Sequence, residues 1–205
     1  MSILIRVLKF VLSWFLITTI INWYLMTLPI IDVSKRKYPK KYLIKNVNRI
    51  DFQSRYECSA FSTAYLLRHF RIEADGNSVY KEMSCKMKSG TVYPKGIRNF
   101  LKRSGFKTHF YKGNINQLKK QISKGIPVIV FIKVNTKQKY RHYVPVIGYD
   151  DNYFYISESL EYLANSKEEQ RCYNRKVSVE EFKRLWNIKE WYMPFYSNTY
   201  ITVYK

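Results

Sequence analysis

Residues 125–159 read GIPVIVFIKVNTKQKYRHYVPVIGYDDNYFYISES. Ile126–Val134 is a nearly continuous apolar, β-branched run, the pattern of a strand covered on both faces. His142–Tyr149 is a second such run. Asp150, Asp151 and Asn152 form a turn cluster, and Tyr153–Ser157 returns from it. Three strands joined by short connections predict the centre of an antiparallel sheet.

Helical patterns precede this stretch. Cys58–Phe70 (CSAFSTAYLLRHF) carries Phe61, Ala64, Tyr65 and Leu66 or Leu67 at helical spacing, with Gly76 closing the unit. A second helix is expected at Lys95–Arg103, with Ile97, Phe100 and Leu101 on one face and Gly105 past its end. A third is expected at Ile115–Ser123, before Gly125. Downstream, Ser178-x-x-Glu181 is a capping box opening a short helix to Trp186, and Thr199–Tyr204 reads as a final strand. Helices first and an antiparallel sheet after them make the class α+β. Trp186, Trp191 and Tyr192 are read as core or interface side chains.

Composition narrows the function. The 205 residues hold one ordinary domain with an appended segment, and 46% hydrophobic content is ample for a packed core. Three cysteines without a CxxC pair exclude a zinc knuckle or a thioredoxin-type motif. Cys85 and Cys172 are read as free thiols, with pairing open to them only outside the cell. No GxxxxGK[ST] or GxGxxG occurs, which sets aside nucleotide-binding loops of those kinds. The formal charge of +21 attracts anionic lipid, nucleic acid or cell-wall polymers. The basic residues are nevertheless spread along a chain rich in Lys, Ile, Asn, Tyr and Phe, as AT-rich coding produces. No specific nucleic-acid partner is expected.

The amino terminus reads as a membrane segment. Phe10–Ile31 (FVLSWFLITTIINWYLMTLPII) has no charged residue, and as a helix its 22 residues would reach roughly 33 Å. Arg6 and Lys9 precede it, Trp23 and Tyr24 suit one interface, and Pro29 lies near its end. The first alanine of the chain is Ala60 and the first glycine Gly76, so no small-residue cleavage site is present. Residues 1–33 are therefore expected to be a retained transmembrane anchor or uncleaved signal, contacting lipid through residues 10–31 in a single-pass membrane protein. Lys35, Arg36, Lys37, Lys40 and Lys41 on the far flank lean the domain toward the cytoplasm. In so lysine-rich a chain, the side stays open. Residues 34–50, basic and containing Pro39, are expected to be a linker, and residues 51–205 the globular domain.

Four residues carry the chemistry. Cys58 opens a predicted helix, where the dipole and the unpaired backbone N–H groups favour a thiolate. His142 stands at the mouth of an apolar strand, and a Cys–His pair supplies a nucleophile and a proton shuttle. Glu158 ends the returning strand, where it can lie beside His142 and accept the imidazole N–H. Gln53, five residues before Cys58, can donate its amide to a developing oxyanion. His69 and His109 are read as ordinary polar residues. Asp150 and Asp151 are read mainly as turn formers, each a rival to Glu158. Each feature alone is commonplace; the order Gln, Cys, His, acid is not.

That order resembles the C39-like family of papain-fold cysteine peptidases. QSRYEC at 53–58, running into SAFSTAYLLRHF, resembles the family's Q…[DE]CG opening and its helix. GIPVIVFI resembles the strand before the histidine, and HYVPVIGYDDNYFYISES the H-[FY]-V-V…GYD…DP block, with Glu158 at the acid's position. The resemblance spans residues 51–205. It implies a papain-like α+β fold, Cys58 as nucleophile, His142 as general base and acid, Glu158 as its orienter and Gln53 as oxyanion donor. The implied activity is peptide or isopeptide hydrolysis on a peptide or protein substrate, with no cofactor or metal, by a stand-alone, membrane-anchored member. Acyl transfer to an amine is the neighbouring reading. Ser59 stands where the family usually has Gly, Glu158 replaces Asp, and Gln53 lies one residue closer to the cysteine. With the +21 charge, these departures motivate the alternative: a catalytically inactive, membrane-tethered binding module.

Overall fold

The central sheet gathers strands from the whole chain. The computed structural model describes residues 3–21, 27–35, 37–138, 140–168, 171–190, 193 and 195–205. Trp23, Tyr24, Arg36, Trp191 and Tyr192, named above, lie outside them. In chain order the elements are α1 (Ile3–Ile21), β1 (Ile30–Ile31), β2 (Tyr42–Leu43), α2 (Cys58–His69), α3 (Gly76–Glu82), α4 (Pro94–Arg103), β3 (Lys107–Lys112), α5 (Ile115–Ile122), β4 (Val128–Lys133), β5 (Arg141–Tyr149), β6 (Tyr153–Ile156), β7 (Arg175–Ser178), α6 (Val179–Trp186) and β8 (Thr199–Tyr204). The sheet order is β1-β3-β8-β4-β5-β6-β7, with β2 pairing separately to β5. Every pairing is antiparallel except that of β1 with β3. This is the expected mixed α+β architecture.

Alternation along the strands builds two cores. Ile129 and Phe131 of β4 join Ile201 and Val203 of β8 beneath α2, α3 and α4. Val128, Val130 and Ile132 face the other way, against Leu118 and Ile122 of α5 and Phe182, Leu185 and Trp186 of α6. The continuous apolar run of β4 thus reflects burial on both faces.

α2 is the buried helix. Every residue from Cys58 to Leu67 is buried. Its small side chains, Ser59, Ala60, Ser62 and Ala64, let the helix lie close to the sheet. The Ser62 hydroxyl donates to the Tyr143 carbonyl at 2.9 Å, pinning the helix to the strand residue next to His142. At the far end of β5 a bulge falls between Val146 and Gly148. A Cβ on Gly148 would meet the Tyr42 carbonyl at 2.8 Å, so glycine lets β2 dock there.

Two expectations for the amino-terminal region need restating. The uncharged run 10–31 is not one helix. α1 begins at Ile3 and takes in Arg6 and Lys9, whereas Ile30 and Ile31 pair with Tyr111 and Lys112. Thr27, with φ 64°, already departs from helix, and Pro29, which lacks an N–H and disfavours helix in the residue before it, keeps the segment before β1 non-helical. α1 has a mean hydropathy of 2.0, no buried residue, and length enough to cross a membrane. The second concerns residues 34–50, expected as a linker, which run across the domain. They contribute β2, and the Asn48 side chain donates to the Tyr65 carbonyl of α2 at 2.8 Å. Just before them, buried Asp32 accepts from the Tyr200 hydroxyl and the Gln121 amide, both at 2.6 Å, and from the Ser34 N–H at 2.8 Å. These bonds keep the Asp32 carboxyl below its usual range although burial pushes it up.

Candidate active site

Cys58 is the first residue of α2, where first-turn N–H groups have no partner within the helix. His142 is the second residue of β5 and sits opposite Ile132 of β4. Glu158 lies two residues past β6, whose Ile156 pairs with Val146 of β5; the Ser157 N–H donates to the Pro145 carbonyl at 3.0 Å. The β5–β6 pairing therefore carries Glu158 back alongside His142.

His142 and Glu158 are joined directly. The Nε2–Oε1 distance is 2.6 Å, and the residues are 1% and 0% exposed. Burial alone would push the Glu158 carboxyl up, but the His142 charge and hydrogen bond, the Arg175 charge and the Leu160 N–H hold it below the usual carboxylate range. A carboxylate only accepts, so His142 Nε2 carries the proton and donates. Nδ1 is then the ring nitrogen left for the Cys58 thiol, which with Glu158 is among the groups that raise the ring's pKa. For His142, burial lowers the pKa, but the Glu158 charge and the hydrogen bonds to Cys58 and Glu158 more than offset it, raising it to about 10. The imidazolium is the favoured form at neutral pH.

Gln53 arrives from the segment before α2. Its backbone N–H donates to the Ser159 carbonyl at 2.9 Å, and its side-chain Nε2 donates to the Arg55 carbonyl at 2.7 Å. An amide nitrogen has two hydrogens, so one donor remains for the cleft. Gln53, Cys58 and His142 line one cleft of about 480 Å³, whose apolar walls include Val92, Phe131, Tyr143, Met193 and Tyr196. Besides His142, Arg55 and Arg141 are its cationic lining residues, and among the described lining residues there is no carboxylate. All four residues selected from the sequence thus fall in one region.

The rivals go elsewhere. Asp150 accepts from the N–H groups of Asn152 and Tyr153 in its own turn and from the Tyr155 hydroxyl at 2.5 Å. His69 Nδ1 meets the Asn46 amide at 3.1 Å, and His109 Nδ1 meets the Tyr111 hydroxyl at 3.0 Å. None of the three cysteines forms a disulfide among the described residues.

A family model described as Peptidase C39 like matches residues 41–190, well over half of the chain. The chain belongs to the peptidase C39-like family. Its fold is shared by solved peptidase structures. The peptidase domain of Streptococcus ComA, a bifunctional ABC transporter, superposes with a TM-score of 0.57 at 17% identity, covering 77% of this chain and 98% of that one. A C39-like peptidase structure from Bacillus anthracis gives 0.59 at 18% identity, covering 82% and 98%. A double-glycine-motif protease of an AMS/PCAT transporter, solved with its leader peptide, gives 0.51 at 15% identity, covering 84% and 95%. No curated protein matches.

Within this C39-like frame, sequence reasoning missed the residues around the acid. Arg175 Nη1 donates to Glu158 Oε2 at 2.8 Å. The Leu160 N–H donates to Oε1 at 2.8 Å. The Asn174 side chain accepts from the Glu158 N–H at 2.7 Å and donates to its carbonyl at 2.9 Å. Ser59, in the place of the family's usual Gly, is fully buried, and its hydroxyl has no partner.

Proposed function

We propose that this chain is a membrane-anchored cysteine peptidase-like thiol hydrolase in which Cys58, His142, Glu158 and Gln53 act together on a peptide or isopeptide bond. The observation that carries this reading is the buried His142–Glu158 hydrogen bond, with Cys58 and His142 lining the same open cleft. The Cys58 thiolate attacks the carbonyl carbon and forms a tetrahedral oxyanion, toward which Gln53 Nε2 donates. Protonated His142 gives its proton to the leaving amine, leaving an acyl-thioester. Neutral His142 then takes a proton from water, which hydrolyses the thioester, releases the acid and restores the Cys58 thiolate beside protonated His142. Glu158 holds the ring and balances its charge throughout.

An extended peptide suits the cleft, and the leader peptide bound to the double-glycine-motif protease supports this choice. α1 is assigned as the lipid anchor. The peptidase unit is taken to begin near Ile30 rather than at residue 51, because β1, Asp32 and β2 are built into the sheet and the family match already starts at residue 41.

The test is a peptide-library cleavage assay on the full chain in detergent, beside the Cys58→Ala variant. Cleavage by the parent and its loss in the variant support the hydrolase. Binding of peptides without turnover, together with a Cys58 thiol that iodoacetamide labels no faster than Cys85, would identify a silent binding module instead. Alkaline carbonate extraction of membranes tests the anchor: release of the chain would refute it.

A further inference from the structure

Glu158 has two oxygens and two cationic neighbours. Oε1 takes the His142 ring and the Leu160 N–H, and Oε2 takes Arg175. Arg175 is 7% exposed and Glu158 is fully buried. The β6–β7 register sets Arg175 opposite Ile156, two residues before the acid. An arginine guanidinium stays charged at any working pH, so its contribution at this position is fixed.

We propose that Arg175 is a positioning residue that balances the charge of the buried cluster, allowing a Cys58 thiolate and a His142 imidazolium to coexist beside ionised Glu158. The count is simple. With the ion pair formed, the cluster holds two cations, Arg175 and His142, and two anions, Glu158 and Cys58. Without Arg175 the same state has two anions against one cation. A buried net charge is costly, and the cluster sheds it most readily by keeping the proton on Cys58. Arg175 also occupies the second oxygen of an acid one methylene longer than aspartate, leaving Oε1 aimed at His142.

The other ionisable groups around the cluster do not supply this balance. Tyr143 and Tyr162 are phenols whose pKa values burial raises, so both are neutral. Arg141 is paired with Glu190, and Arg55 lies at the exposed rim of the cleft.

This inference rests on Cys58 being the nucleophile, but its test needs no substrate, so it can fail or hold independently of peptidase activity. The rate of Cys58 alkylation by iodoacetamide is measured from pH 5 to 9 on the full chain in detergent, with Cys85 and Cys172 as internal references. Arg175→Met is expected to slow Cys58 at pH 7 about tenfold and to move the rise of its pH profile up by about one unit. Arg175→Lys, which keeps the charge, is expected to stay within about threefold of the parent. The double variant Arg175→Met/Glu158→Gln removes one charge of each sign and is expected to recover most of the lost rate. Folding is checked by thermal melting. If Arg175→Met does not fold, Arg175→Gln decides. It removes the charge but keeps a side-chain N–H for Glu158, and charge balance predicts the same slowing at pH 7. A folded Arg175→Met or Arg175→Gln with an unchanged profile, or a double variant no faster than Arg175→Met, would overturn the proposal.

Discussion

The Ser159 hydroxyl donates to the Gln53 side-chain oxygen at 2.7 Å, and the Gln53 N–H donates to the Ser159 carbonyl at 2.9 Å. The amide assigned to the oxyanion is thereby fastened to the residue that follows the acid. Two parts of the mechanism, 106 residues apart, share one brace.

Replacing Gln53 by Ala is expected to lower kcat by about 10²–10³ while leaving Cys58 alkylation unchanged, because the donor acts only on the developing oxyanion. Ser159→Ala is expected to cost about 1 kcal/mol of stability and a smaller part of kcat, since it frees the Gln53 amide without removing it. Equal losses of alkylation and turnover in Gln53→Ala would contradict the assignment.

The His142–Glu158 pair predicts how stability depends on pH. His142 has a folded pKa above its ordinary 6.5, so its contribution is complete below about pH 6.5 and is lost as pH rises through about 10. Glu158 has a folded value below its ordinary 4.5, so its contribution is present above that pH and is lost on further acidification. Thermal melts should plateau near pH 4.5–6.5 and decline toward pH 10. Glu158→Gln should flatten the alkaline decline. It should also cost about 3–5 kcal/mol at neutral pH, because it leaves Arg175 buried without its anion.

Asp32 is a second buried acid, with a purely structural task. Asp32→Ala would strand the Tyr200 hydroxyl and the Gln121 amide without an acceptor, at about 1–3 kcal/mol for each group. Hydrogen exchange should then accelerate at residues 30–34, and the melting temperature should fall. Unchanged protection there would show that β1 is held by something else.

Gly148→Ala should destabilise by about 1–3 kcal/mol, because the added methyl meets the Tyr42 backbone carbonyl as well as the Leu43 and Tyr155 side chains, and the carbonyl cannot move aside. Denaturant unfolding measures it.

Tyr196→Phe is expected to go the other way. The hydroxyl is buried and has no partner, so its removal leaves nothing unsatisfied and should leave stability unchanged or slightly higher. A loss above about 1 kcal/mol would reveal a hydrogen bond that the fold conceals.

Much of the fold was legible wherever a local pattern and its punctuation agreed. α2, α4, α5, β4, β5, β6 and β8 follow from periodicity, and Ser178 caps α6 by accepting from the Glu181 N–H at 3.2 Å. α3 escaped because Gly76 reads as a stop. It is instead the first helical residue, capped by Asp75, and its lack of a Cβ admits the Phe61 ring. β1 and β2 are two residues each and exist only through their partners. β3 (KTHFYK) and β7 (RKVS) hide their inward residues among lysines and arginines. The same masking concealed Arg175, one cation among 36 Lys and Arg. The Gln, Cys, His, Glu order was visible because Cys58, His142 and Glu158 stand at or just past element ends and Gln53 lies shortly before α2. The brace around Glu158 was not, because backbone N–H groups and a buried guanidinium leave no sequence signature.

β1 follows soon after α1. Eight residues separate Ile21 from Ile30, and a fully stretched chain gains at most about 3.5 Å per residue, so the tether cannot exceed roughly 30 Å. With α1 seated in a bilayer, the domain would patrol only a thin shell of solvent above the lipid. Its encounters would then be governed by what drifts through, emerges from or is fixed to that surface, making proximity to the membrane a selector of substrates alongside the shape of the cleft.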